Sequence, residues 1–148
     1  MTPDLPTVLG GLARTLVMDL VPELKTPYAT MTAQLMATLL MMLTQEADHA
    51  AARLVEENAA LVALFADALP TVTEDELRGQ MKEAGAALPA ALTVSALRER
   101  NRELRGLLVR LHEHVERLDG AAARALEERI WAELVASTDR RRLDLALA

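Results

Sequence analysis

The sequence predicts an all-α fold, and three observations support that prediction. The 148 residues include 27 alanines and 28 leucines, which favour helix because they lose little rotamer freedom in it. Only Tyr28, Phe65 and Trp131 are aromatic, whereas β-sheets favour aromatic and β-branched residues. Apolar residues also recur at helical spacing along most of the chain. We therefore expect an up-and-down helical bundle built on two long antiparallel helices, with additional shorter helices.

The first two helices have clear start and stop signals. Asp4 can cap the first helix, and Pro22 ends it because proline cannot continue the hydrogen-bond ladder. Thr26 and Pro27 begin the second helix, which meets no breaker before Pro70. A single domain over residues 1–148 is expected, with helices at about 5–21, 27–69, 74–88, 94–118 and 121–142.

The later helices follow from similar signals. Thr73 and Glu76 have the spacing of a capping box. In a capping box the threonine side chain accepts a hydrogen bond from the backbone N–H of the glutamate, and the glutamate side chain accepts one from the backbone N–H of the threonine. The fourth helix is predicted to begin near Thr93. Gly120 is its expected interruption, where the chain either kinks or ends one helix and starts another.

Two helices have coiled-coil-like seams, and each seam contains one asparagine. The apolar positions alternate three and four residues apart, at Ala51, Leu54, Asn58, Leu61, Phe65 and Ala68, and at Val94, Leu97, Asn101, Leu104, Leu108, Leu111, Val115 and Leu118. A seam asparagine needs a polar partner. Our hypothesis is that Asn58 and Asn101 meet through antiparallel packing. Alternatively, each pairs with its own copy across a dimer, or reaches solvent at a seam edge.

The N-terminal half has too few charges for a set of surface helices. Residues 1–72 carry 11 charged side chains and residues 73–148 carry 27, and the segment from Thr26 to Gln45 carries none. A helix that is apolar on most sides is buried by its bundle or by a partner. We expect a homodimer, with Met31, Leu35, Leu39 and Met42 in its interface. A pocket for an apolar ligand is the alternative, because methionine-rich faces are pliable.

Composition and motifs exclude several functions. The chain has no cysteine and a net charge of −6, which argues against disulfides, thiolate sites and nucleic-acid binding. Threonines and glutamines dilute the Thr26–Gln45 segment, so we expect no membrane span and a cytoplasmic protein. We predict no catalytic residue, no metal and no cofactor. The metal candidates that we considered are His112, His114 and Glu116, with His49 nearby; a solvated charged flank is the simpler interpretation. Glu57 is expected on the polar face with Glu46, His49 and Arg53.

Three segments resemble those of small, uncharacterised all-helical bacterial proteins. They are AARLVEENAALVALFADA at 51–68, VSALRERNRELRGLLVRLHEHVE at 94–116 and ARALEERIWAELVASTDRR at 123–141. The resemblance implies a bacterial accessory protein and supplies no functional residue. The function expected is a non-catalytic oligomerisation or protein-interaction module that binds itself and a protein partner. The alternative is a bundle that binds a metal or a small apolar ligand, including an enzyme built on such a site.

Overall fold

The computed structural model describes residues 4–87 and 91–143, which form helices and no strands. The all-α prediction is therefore confirmed for these residues. The α-helices are α1 (Leu5–Thr15), α2 (Pro27–Ala68), α3 (Asp75–Ala86), α4 (Val94–Val115) and α5 (Ala121–Arg140). The predicted helices correspond to these five; the predicted end of the third at residue 88 lies outside the described residues.

Helix α1 begins at its predicted cap and continues in altered form beyond its last α-helical residue. The Asp4 carboxylate accepts hydrogen bonds from the backbone N–H of Thr7 at 3.2 Å and from its hydroxyl at 2.9 Å. After Thr15 the chain forms a π-helical turn over Leu16–Leu20 and a 3₁₀ turn over Val21–Glu23. Pro22 fits the short 3₁₀ turn because the first residues of a helical turn need no N–H partner.

Helix α2 begins and ends close to the residues that the sequence predicts. The Thr26 hydroxyl accepts a hydrogen bond from the N–H of Ala29 at 3.2 Å. The helix then runs for 42 residues and ends at Ala68, two residues before Pro70. At about 1.5 Å per residue, its length is on the order of 60 Å.

The capping box predicted for α3 does not form. The helix begins at Asp75 after Glu74, with no side-chain cap. The backbone N–H of Thr73 donates instead to His114 Nε2 at 3.2 Å. Thr73 is therefore bound to α4 rather than to the first turn of α3, and this contact could not be read from local spacing.

Helices α4 and α5 are separate rather than one kinked helix. Thr93 caps α4 by accepting the N–H of Ala96 at 3.3 Å. Helix α4 ends at Val115 and α5 starts at Ala121. Gly120 has a φ of 108°, a conformation that side-chain-bearing residues rarely adopt. Gly120 therefore separates the two helices and immediately precedes the first residue of α5.

Where the sequence predicts one domain, the contacts divide the chain into two compact units. The first comprises residues 4–50 with Leu143, and the second comprises residues 51–142. The second unit contains a large apolar core with contributions from all its helices, including Phe65, Met81, Leu104 and Ile130. The α4 seam supplies much of it: the seam positions from Leu97 to Val115 are all buried.

Contacts within the second unit fix the relative direction of α2 and α4. Asn58 of α2 contacts Leu97 and Asn101 of α4, and Thr73, just beyond α2, contacts His114 near the end of α4. Residue numbers thus rise together along the two helices, so they run in the same direction. The antiparallel packing predicted for the two long helices is therefore not confirmed. Helix α3 reverses the chain once before α4 begins, so α4 runs in the same direction as α2.

Helices α3 and α5 run against their neighbours. Arg100, early in α4, donates to the carbonyl of Ala84, late in α3, whereas Arg110, further along α4, donates to Gln80, earlier in α3. Salt bridges connect α2 and α5 in the same opposed sense: Asp67 pairs with Arg129, and Glu57 pairs with Arg141 just beyond the end of α5.

Candidate functional site

The sequence-predicted interface residues lie on one face of α2 in the first unit. Met31, Leu35 and Leu39 are 64%, 59% and 49% exposed, and Met42 is half-buried. We call these four residues the α2 apolar face. The buried residues of this stretch are small and lie elsewhere on the helix: Ala37 is only 2% exposed. At about 100° per residue, Ala37 lies roughly 160° around the helix from Leu35.

The exposure of large apolar side chains is concentrated in the first unit. Its described residues 4–50 include thirteen exposed large hydrophobic side chains, whereas residues 51–142 include five. The buried hydrophobic residues of the first unit are all alanines, namely Ala13, Ala33, Ala37 and Ala50. Thus, among its described residues, the first unit fully buries only alanines as hydrophobic residues and exposes most of its large apolar side chains, the reverse of an ordinary core.

One helical stretch in the described part of the chain is long and apolar enough to cross a bilayer. It spans Leu5–Glu23, and only 6% of its apolar window is buried. This criterion rests on length and composition, and the stretch includes the charged residues Arg14, Asp19 and Glu23. The uncharged segment Thr26–Gln45, for which the sequence predicts no membrane span, follows this stretch in the chain.

A buried carboxylate forms the centre of a polar cluster in the second unit. Glu57 of α2 is 0% exposed. Arg141 Nη2 donates to both carboxylate oxygens at 2.9 Å, and Ser137 Oγ donates to Oε1 at 3.0 Å. Arg105 of α4 also donates to Oε1 and to the Ser137 hydroxyl. Glu57 therefore holds α2, α4 and the end of α5 together.

The surroundings of Glu57 keep it ionised. Burial alone would raise its pKa, but hydrogen bonds from Arg141 and Arg105, the positive charge of Arg105 and the Ser137 hydroxyl outweigh that effect. The net result is a pKa below the ordinary value for glutamate. With its oxygens occupied by these donors and no surface open to solvent, the carboxylate acts as a structural cross-link rather than as a base or a metal ligand.

The two seam asparagines meet within one chain. Asn101 Nδ2 donates to Asn58 Oδ1 at 2.9 Å, so the two amides meet, although between parallel helices rather than through the antiparallel packing of the hypothesis. Asn58 Nδ2 donates in turn to the carbonyl of Leu97 at 3.1 Å, and Arg105 Nε donates to Asn101 Oδ1 at 3.1 Å. Arg105 thus joins the asparagine pair to Glu57, so the polar groups form one continuous network.

Sequence reasoning missed the acidic and basic members of this network. Glu57 was expected on a solvated polar face, and that prediction is wrong because α4 and Arg141 cover its carboxylate. One signal was available: Glu57 precedes the seam residue Asn58, and Arg105 follows Asn101 by one helical turn. Charged residues of opposite sign beside two paired seam positions indicate a salt bridge between the helices, and only the structure shows that this one is buried at Glu57.

The histidines of α4 occupy separate environments. The edge of the His112 ring packs on Trp131 of α5, with centroids 5.4 Å apart. Its Nε2 is buried without a hydrogen bond and lies 3.8 Å from Glu116 Oε1. His114 Nε2 instead accepts the N–H of Thr73 at 3.2 Å, while Nδ1 lies 3.7 Å from Glu74. Residues two apart point to nearly opposite sides of a helix, so His112 and His114 share no site.

His49 belongs to the first unit, where its Nε2 lies 3.8 Å from Asp48. Within residues 4–87 and 91–143, no group of three or more His, Cys, Asp or Glu side chains is placed to hold a metal ion. The candidate ligands His49, His112, His114 and Glu116 are therefore not brought together as one set.

Comparison with known proteins adds no relative: no protein family, no curated protein and no solved structure matches this sequence.

Proposed function

We propose that the protein is a non-catalytic self-association module, in which the α2 apolar face packs against the same face of a second copy. The observation that carries this proposal is the inverted exposure of the first unit, where large apolar side chains are exposed and alanines are buried. Contiguous apolar surface of this kind marks an interaction site. A two-fold dimer pairs the face with itself and closes the assembly.

The first unit as a whole, rather than the α2 apolar face alone, exposes apolar surface on the scale of an interface. Fully burying a large aliphatic side chain is worth about 1.5–3 kcal/mol at about 25 cal/mol per Å², or roughly 60–120 Å² of surface. The thirteen exposed side chains of the first unit retain about half of that. Their sum is roughly 400–800 Å², which reaches the roughly 800 Å² of one side of a standard interface only at its upper limit. The sum includes side chains of α1 that lie outside the α2 apolar face.

The α2 apolar face has a defined boundary. Continuing from Met42 by four, three and four residues, the same stripe of the helix carries Glu46, His49 and Arg53. These charged and polar residues would be costly to bury between two copies. The proposed interface therefore ends near Gln45, at the limit of the uncharged segment.

The finer architecture also belongs to this proposal. The alternating directions of α2, α3, α4 and α5 support an up-and-down four-helix bundle for the second unit. In that arrangement the second unit is a rigid body held by its apolar core and the Glu57 network, and the first unit is the part that associates. We propose a cytoplasmic accessory role, with a further protein partner binding to the assembled dimer.

The test is the mass of the protein in solution, measured by native mass spectrometry and by light scattering after gel filtration. The wild-type chain is expected at twice its 16.1 kDa. The variant L35E/L39E should be monomeric. Burying the remaining half of each leucine is worth about 1 kcal/mol, so four lost contacts per dimer cost about 4 kcal/mol and weaken association about a thousandfold.

The control is V135E, which places one glutamate on a similarly exposed apolar position of α5, 61% exposed. It should leave the dimer intact, and circular dichroism should show all variants folded. A monomeric wild-type protein would contradict the proposal. So would a dimer lost in V135E but kept in L35E/L39E, since the interface would then lie on the second unit. A wild-type chain recovered only in detergent would assign the apolar surface to a membrane.

A further inference from the structure

A groove in the first unit lies between the end of α1 and the middle of α2. Its volume is about 470 Å³, within the roughly 300–1,000 Å³ of small-molecule sites. On the α1 side it is lined by Gly10, Ala13, Arg14 and Val17, whose spacing of three, four and seven residues places them on one helical face. None of the four residues of the α2 apolar face lines it.

The groove wall contains the π-helical turn. Val17 and Met18 both belong to the turn at Leu16–Leu20 and both line the groove, opposite Met41 of α2. A π-turn widens a helix locally, is rare, and is frequently found at functional sites. Methionine side chains adapt their shape to an apolar ligand. The wall is therefore apolar and deformable where the helix departs from regular geometry.

Arg14 gives the groove a single sign of charge. It is exposed at the last turn of α1, and none of the other lining residues is charged. Among residues 4–87 and 91–143, no carboxylate forms an ion pair with it. An unpaired guanidinium beside an apolar channel complements an anionic head group attached to a hydrocarbon chain, because arginine binds carboxylates through two parallel hydrogen bonds.

We propose that this groove binds a medium-chain fatty acid, with the carboxylate on Arg14 and the alkyl chain between Val17, Met18 and Met41. Gly10 lines the groove, and a Cβ built there meets nothing within 4 Å, so a larger side chain can be accommodated at this position. This site is independent of the proposed dimer, because the groove and the α2 apolar face share no residue. Either proposal can therefore be refuted by its own experiment while the other stands.

The experiment is isothermal titration of the full-length protein with laurate below its micellar concentration, with dodecanol as the uncharged analogue. The variant R14Q removes the charge and shortens the side chain while keeping it polar, so laurate should bind at least tenfold more weakly while dodecanol binding is unchanged. The variant G10L fills the channel and should abolish binding of both. The control R124Q removes an exposed arginine of α5 and should bind laurate as the wild type does.

Each outcome decides the proposal. Saturable one-to-one binding of laurate that is lost in G10L and weakened in R14Q supports it. No saturable binding by the wild-type protein overturns it, and so does equal affinity of R14Q and wild type for laurate. Binding to phosphatidylcholine vesicles that is unaffected by G10L would show that a lipid surface, rather than a single chain in the groove, is the occupant. Native mass of G10L and R14Q should remain that of the wild type.

Discussion

Replacement of Glu57 by glutamine removes the charge at the centre of the buried network while nearly preserving side-chain size. Breaking a buried ion pair by removing one partner generally costs about 3–5 kcal/mol, because the other charge is left uncompensated. Here the side chains of Arg105 and Arg141 are 35% and 47% exposed, so water can compensate part of their charge. We therefore expect E57Q to lower the free energy of unfolding by about 2–3 kcal/mol.

The assay is urea unfolding at neutral pH, followed by far-UV circular dichroism. The control E128Q removes an exposed carboxylate of α5 and should change the free energy of unfolding by less than about 0.5 kcal/mol. The double variant E57Q/R105Q should cost less than the sum of the single variants, because the second substitution removes a charge that the first left unpaired. If E57Q and E128Q were equally stable, the network would contribute nothing and the reasoning would be refuted.

The remaining predictions concern the same unit. The pKa of Glu57 is lowered in the folded protein. Its stabilising effect is therefore present above the pKa of the unfolded state and is lost as the pH falls through the pKa of the folded state. When urea unfolding is measured at decreasing pH, the wild type should lose stability more steeply than E57Q below pH 4.5. Replacing Asn58 or Asn101 singly by leucine should cost about 1–3 kcal/mol by leaving an amide unpaired, and the double replacement should cost less than the worse single one; additive losses would contradict pairing. In thermal unfolding, G120A should be about 1–3 kcal/mol less stable, because its φ of 108° and ψ of 175° lie in a region that is essentially restricted to glycine. G106A, within α4, should be about 0.5–1 kcal/mol more stable; equal effects would contradict this assignment.

The sequence by itself determined the helices and most of their ends. Asp4, Thr26, Thr93 and Gly120 each act on backbone groups within a few residues, so their effect is visible in the local sequence. The three-and-four spacing of α4 likewise predicted its buried seam, since a helix has a fixed period. Of the polar network, the spacing identified the asparagine pair because both residues interrupt apolar seams.

Only the tertiary structure decided the direction of the helices and the environment of the charged residues. Helices α2 and α4 run parallel because α3 comes between them in the chain and runs antiparallel to α4, and no local signal specifies that arrangement. Glu57 is buried because Arg141, 84 residues away in sequence, caps it. Thr73 leaves its expected capping box because His114 offers its N–H a better-placed acceptor. Burial and pairing are properties of several elements brought together, so they appear only once the chain has folded.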